Sequence, residues 1–300
     1  MNFKEVLAAF NIEPTACASQ IYKSAWDINN TYILKKSDNS KEFDKSILLS
    51  DLLAHKGLPV TEYMKTKYGN PYFTSDDGCY CLMKKITGKH LDPFFGDCRH
   101  NGTILGEAVA ALHQALSGIT IEQGVYEADF AKEFETWIMP EFVEKQLVGS
   151  FDDGVLSTCR EITETCKSLP RQIIHRDMHP GNLLFEDGKF SGYLDFDISQ
   201  RNIRIFDVCY LGCSLLVENY KDENKLKQWQ DIFAGILHGY EAIQPLEMIE
   251  INALPGLFIF NEVLFAAFFS KQNQSELVQR CIDMTNWQYK HIGSILKRCR

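Results

Sequence analysis

Three hundred residues, 45% hydrophobic and 24% charged, are enough for one large domain or two lobes around a substantial core. A net charge of −9 argues against nucleic acid as a partner. The excess is local: from Glu127 to Glu164 acidic residues greatly outnumber basic ones, which suits a cationic small molecule or a solvated helix face. The start Met1-Asn2-Phe3-Lys4-Glu5 lacks a basic leader and an apolar run, so no signal peptide is expected. Ten cysteines without a Cys-x-x-Cys pair read as buried reduced thiols of a cytoplasmic protein. The most apolar window, Leu254 to Phe269, contains Asn261 and Glu262 and is too short for a bilayer; it predicts a buried helix and no membrane partner.

In chain order, Phe3, Val6, Leu7 and Phe10 recur at helical spacing and predict a short first helix. Gln20–Tyr22 and Thr31–Lys36 read as strands. Ser40 is placed to cap a helix running to about Lys56, with Gly57 and Pro59 ending it. Pro71–Thr74 and Cys79–Ile86 follow as strands joined by an Asp77-Gly78 turn. After Gly88 helices dominate: Ile104–Leu116, Glu127–Val148 and Phe151–Ser168. Short strands are expected at Gln172–Ile174, Leu183–Phe185 and Phe190–Leu194, the last two joined at Asp187-Gly188. Four helices complete the chain from Ile205. The expected class is α+β, with a sheet-rich lobe over residues 1–86 and a helical lobe over 87–300.

The residues that carry chemistry cluster from His175 to Asp197: His175-Arg176-Asp177-Met178-His179-Pro180-Gly181-Asn182, then Leu194-Asp195-Phe196-Asp197. Phosphoryl transfer needs a carboxylate to take the acceptor's proton and hard oxygen ligands to hold magnesium against phosphates. Asp177 suits the first task, and Asn182 and Asp195 the second. A zinc site on His175, Asp177 and His179 would leave Asn182 and the Asp195 pair without a task.

This stretch resembles the phosphotransferase motif of the aminoglycoside phosphotransferase and choline kinase-like superfamily, itself related to protein kinases. The resemblance rests on His175, Asp177, Pro180, Asn182, Asp195 and Asp197. It implies a protein kinase-like two-lobe fold, a nucleoside triphosphate (ATP or GTP) as co-substrate, and Mg2+. Tyr32-Ile33-Leu34-Lys35 looks like the strand whose lysine holds the α- and β-phosphates. Lys36 is a rival, but alternation puts Lys35 on the side of Ile33. Glu42 is the candidate partner of Lys35, with Asp44 competing and Ser46 where an acid is expected. Cys81 to Gly88, including Met83 and Lys85, is similar to the strand and hinge that bind the base. Asp197 holds a second magnesium or positions the loop. His175 and Asp207 have supporting roles, and His113 reads as a packing residue. No Gly-x-Gly-x-x-Gly or Walker sequence occurs, so the phosphate-covering turn is sought in Ser24–Asn30.

Only Ile198 to Phe206 separate Asp197 from the next helix, which leaves no platform for a protein substrate. A small hydroxyl acceptor is expected: an aminoglycoside, or a choline-, ethanolamine- or homoserine-type metabolite. The charge favours a cationic one. Trp229, Tyr240 and Phe258 form an aromatic cage for it or belong to the core; their helical spacing favours the core. A catalytically silent, nucleotide-binding regulator is the alternative on the same fold.

Overall fold

The computed structural model describes residues 3–13, 17–119 and 125–299. In chain order its elements are α1 (Phe3–Ala9), β1 (Ala18–Tyr22), β2 (Ala25–Ile28), β3 (Tyr32–Ser37), α2 (Ser40–His55), β4 (Tyr63–Met64), β5 (Phe73–Ser75), β6 (Gly78–Lys84), α3 (Cys98–Leu116), α4 (Phe130–Glu133), α5 (Met139–Glu144), α6 (Val155–Thr165), β7 (Arg171–Ile174), β8 (Leu183–Glu186), β9 (Lys189–Tyr193), β10 (Gln200–Ile203), α7 (Ile205–Leu216), α8 (Glu223–Ile243), α9 (Met248–Lys271) and α10 (Ser275–Leu296). They fall into two compact units. One comprises Met1–Leu91, Gly118–Val125 and Gly181–Ser199; the other comprises Asp92–Ser117, Tyr126–Pro180 and Gln200–Arg300.

The first unit is built on an antiparallel sheet in the order β1-β2-β3-β6-β4, with β5 also on β6. Alternation sorts its side chains. Ile28, Leu34, Tyr80 and Leu82 pack with Val6, Leu7 and Phe10 of the N-terminal segment. Cys79, Cys81 and Met83 pack with Phe43 of α2 on the other face. Lys35 pairs with Cys81 and Lys36 with Tyr80, so Lys35 shares the α2 face and Lys36 does not. The cap of α2 is Asn39, whose side chain accepts from the Lys41 N–H, one residue before the expected Ser40. The hairpin β8–β9 turns at Asp187-Gly188, both at positive φ (50° and 75°), as a type I′ turn requires. Bridges Lys89↔Phe185 and Val60↔Tyr193 tie this hairpin into the first unit.

In the second unit α9 is a 24-residue helix, long and apolar enough in length and composition to cross a membrane, and longer than the window expected from sequence. Most of it is buried, against α6, α7 and α10 among others. A helix apolar on every side belongs in a core. Helices α3 and α8 meet at their backbones. A Cβ on Gly102 or Gly106 would come within 2.0 and 2.1 Å of the Ile232 and Ile236 carbonyl oxygens. On α8, Gly235 and Gly239 stand equally close to Arg99 and Thr103. The helix expected over Glu127–Val148 is broken into α4, a π-helical turn at Phe134–Ile138, and α5. Pro140, lacking an N–H, stands at the start of α5. Three strands have no counterpart among those expected from sequence: β2, β4 and β10. The last pairs with β7.

Candidate active site

The first unit contains a cavity of about 670 Å3, lined among others by Ile33, Lys35, Met83, Leu184, Asn182, Asp195 and Asp197. That volume lies within the range of small-molecule sites. β3 brings Lys35 to the cavity, and the segment after β9 brings both acids. Lys35 Nζ donates to Asp195 Oδ1 at 3.0 Å and to Asp197 Oδ2. Burial works against the charge on Lys35, but Asp197 and then Asp195 outweigh it and hold its pKa above the ordinary lysine value. Asp195 has φ 60°, a left-handed conformation that aspartate tolerates better than most residues.

The expected pair of Lys35 with Glu42 does not form. The Glu42 carboxylate instead accepts from Ser37 Oγ at 2.8 Å. One turn on, α2 buries Ser46, whose hydroxyl donates to Asp197 Oδ1 at 2.8 Å. The acids that pair with Lys35 are Asp195 and Asp197, from the segment after β9, and not an acid of α2.

The expected turn at Ser24–Asn30 is also different: Ala25–Ile28 is strand, and the β1–β2 turn, through Tyr22, Ser24 and Ala25, lines the cavity. Lys85 lines the cavity too, with its ammonium bound to Asp27 and Asn30, each at 2.5 Å. The N–H groups of Lys84 and Lys85 are committed to the Glu62 and Thr31 carbonyls.

Asn182, Asp195 and Asp197 fit a divalent cation by donor type. Among the described residues no three His, Cys, Asp or Glu side chains are grouped as a metal site. Two carboxylates and an amide leave positions for phosphate oxygens and water, the way magnesium is held beside nucleotides.

In the second unit, β7 leads into the loop His175–His179. Asp207, in the first turn of α7, organises it. Its carboxylate accepts from the backbone N–H of His175 at 2.8 Å and of Arg176 at 2.9 Å, and lies 2.9 Å from His113 Nε2. The other nitrogen of His113 is 2.8 Å from the Tyr240 hydroxyl. In this fully buried network Asp207 is bonded to the loop backbone, and His113 links it to Tyr240. His175 Nδ1 accepts from the Asp177 N–H at 3.3 Å. Arg176, at φ 76°, stacks its guanidinium 4.4 Å from the Phe206 ring centre.

Asp177 accepts a 2.7 Å hydrogen bond from Tyr210 and stands 3.6 Å from His179 Nε2. Burial favours its neutral form, but the bonds from His179 and Tyr210 overcome this and hold the carboxyl well below the usual range. The result is an ionised acceptor at neutral pH. Tyr210 was not singled out from sequence. Its spacing three residues after Asp207 on one helix was the available signal. Trp229, Tyr240 and Phe258 are fully buried, so they belong to the core rather than to a cage.

A fold with a nucleotide-sized cavity beside a Lys–Asp–Asp cluster, and a braced loop presenting an ionised aspartate, defines a phosphotransferase. The family model described as "Phosphotransferase enzyme family" matches residues 18–246, and the chain belongs to that family. It is a small-molecule kinase. A homoserine kinase from Hyphomonas neptunium is 25% identical over 249 residues, 78% of this chain and 71% of the relative. Two solved structures share the fold. An amicoumacin kinase in complex with AMP-PNP, Ca2+ and its ligand superposes with a TM-score of 0.69 at 16% identity, covering 92% of this chain and 88% of the other. A microcompartment-associated aminopropanol kinase gives 0.68 at 13% identity over 99% and 98%.

Proposed function

We propose that this chain transfers the γ-phosphoryl group of ATP, or of GTP, to the hydroxyl of a small amine-bearing metabolite, with homoserine and amino alcohols as first candidates. The observation that carries the nucleotide half is the cluster of Lys35, Asp195 and Asp197 in one cavity with Asn182. Lys35 binds phosphate oxygens, and Asn182, Asp195 and Asp197 hold magnesium. Held there, magnesium would supply positive charge against the phosphates. Asp177 accepts the acceptor's proton as the new O–P bond forms and the bond from the γ-phosphorus to the bridging oxygen breaks, leaving the nucleoside diphosphate. Tyr210 and His179 keep Asp177 ionised. The acceptor class is supported by the homoserine and aminopropanol kinases among the similar proteins.

The test is diphosphate release with ATP or GTP across a panel of alcohols. Turnover is expected with a hydroxyl acceptor, and Asp177→Asn is expected to keep nucleotide binding while losing at least about a hundredfold in kcat. Full turnover by that variant would remove Asp177 from the mechanism. Nucleotide binding without turnover of any alcohol would favour the silent regulator.

A further inference from the structure

The second unit has its own cavity of about 250 Å3 among α7, α9 and α10. Its lining includes Tyr210, Ser214, Asn261, Glu262, Phe265 and Arg280. Tyr210 is also the donor to Asp177, so one wall of this cavity is in direct contact with the proposed base.

Glu262 and Asn261 lie in the middle of the most apolar helix of the chain, 4% and 1% exposed. Among the described residues no cation lies within ion-pairing distance of Glu262. Its neighbours are the Asn261 amide at 3.4 Å and the Cys281 thiol. The nearby Arg280 is bound to Glu218 instead. Among the described residues the Asn261 side-chain oxygen is buried with no hydrogen-bond partner. A buried acid and a buried bare acceptor, side by side on a cavity wall, are costly unless a ligand with several donors satisfies them.

We infer that this cavity is the acceptor site, that its occupant is a small alcohol carrying an ammonium group, and that Glu262 and Asn261 bind that ammonium. The inference rests on the kinase reading above through Tyr210 and Asp177. An ammonium brings a positive charge and three donors, which Glu262, the Asn261 oxygen and the Ser214 hydroxyl match in number. The volume lies below the roughly 300–1,000 Å3 of drug-sized sites, which favours an amino alcohol or hydroxy amino acid over an oligosaccharide. Burial raises the Glu262 carboxyl to about 7, so an arriving cation finds a group able to ionise at neutral pH.

The experiment compares wild type, Glu262→Gln and Asn261→Ser with four probes: L-homoserine, 1-amino-2-propanol, 4-hydroxybutanoate (which lacks the amine) and kanamycin. Steady-state kinetics and ligand-induced shifts in Tm are both measured. The expected result is turnover and a Tm rise with one or both small amines, and neither with 4-hydroxybutanoate or kanamycin. Glu262→Gln should raise the KM of the amine about tenfold or more and leave the nucleotide KM unchanged. Homoserine alone would place a carboxylate contact on the Arg280 side; both amines would show that the ammonium suffices. Preference for 4-hydroxybutanoate or kanamycin, or an unchanged amine KM in both variants, would overturn the inference. If no probe is phosphorylated, the kinase reading is at fault, and the Tm shifts still decide the pocket. An amine-specific shift abolished by Glu262→Gln supports it, and no amine-specific shift rejects it.

Discussion

Asp177 and Glu262 are carboxyls of one unit driven in opposite directions by their surroundings. Asp177 is held down by hydroxyl and imidazole donors, against burial. Removing the Tyr210 hydroxyl should let its pKa rise. Tyr210→Phe is therefore expected to shift the acidic limb of the kcat/KM profile upward by about one to two pH units, since a hydrogen bond to a charged group contributes roughly 1.5–3 kcal/mol. An unmoved limb would separate Tyr210 from the base. Glu262 has no comparable donors, and burial raises it from 4.5 to about 7. The folded protein then holds this proton more tightly than the unfolded chain. Stability contributed by the group falls as pH rises from about 4.5 to about 7 and stays lost above that, by up to about 3 kcal/mol. Glu262→Gln does not titrate, so urea unfolding should show it gaining on wild type between pH 5 and pH 8 in the absence of acceptor. A constant difference at both pH values would contradict the buried ionisation.

At the scale of elements, the contact of α3 with α8 depends on absent side chains. The carbonyls of one helix occupy the space a Cβ would take on Gly102, Gly106, Gly235 or Gly239. Those obstacles are backbone, so they yield only by separating the helices. Gly106→Ala and Gly235→Ala should each cost roughly 1–3 kcal/mol, read as a fall in Tm of several degrees. Because α3 also carries His113, the same change should loosen the brace on Asp207 and lower kcat more than nucleotide affinity. The glycine spacing was present in the sequence, but spacing alone does not say whether a helix face meets a partner's backbone or solvent. Elements were legible where periodicity was strong, as in α1, α2, the β8–β9 hairpin and the four last helices. The flanking Ser24, Asn29 and Asn30 favour a turn across β2, and pairing of Ala25–Ile28 with β1 and β3 overrides that preference.

For the whole molecule, each unit holds its own part of the proposed chemistry. Lys35, Asn182, Asp195 and Asp197 line the cavity of the first, while Asp177, Tyr210, Asn261 and Glu262 belong to the second. Substitutions should divide accordingly. Asp195→Ala is expected to weaken binding of the magnesium-nucleotide, followed by fluorescence titration, without changing the affinity for acceptor. Glu262→Gln should do the reverse. A loss of acceptor affinity in Asp195→Ala equal to its loss of nucleotide affinity would refute this division.

The sequence alone determined the α+β class, the run from His175 to Asp197 and the choice of Lys35 over Lys36. Each depends on local spacing: strand alternation, a turn signal, or a five-residue step from Asp177 to Asn182. Tertiary structure decided which acids meet Lys35, that Ser46 rather than Glu42 faces Asp197, and that Tyr210 donates to Asp177. It also decided that Glu262 lies buried beside a cavity. Those outcomes depend on contacts between residues up to about 160 positions apart, and only packing brings such side chains within a few ångströms.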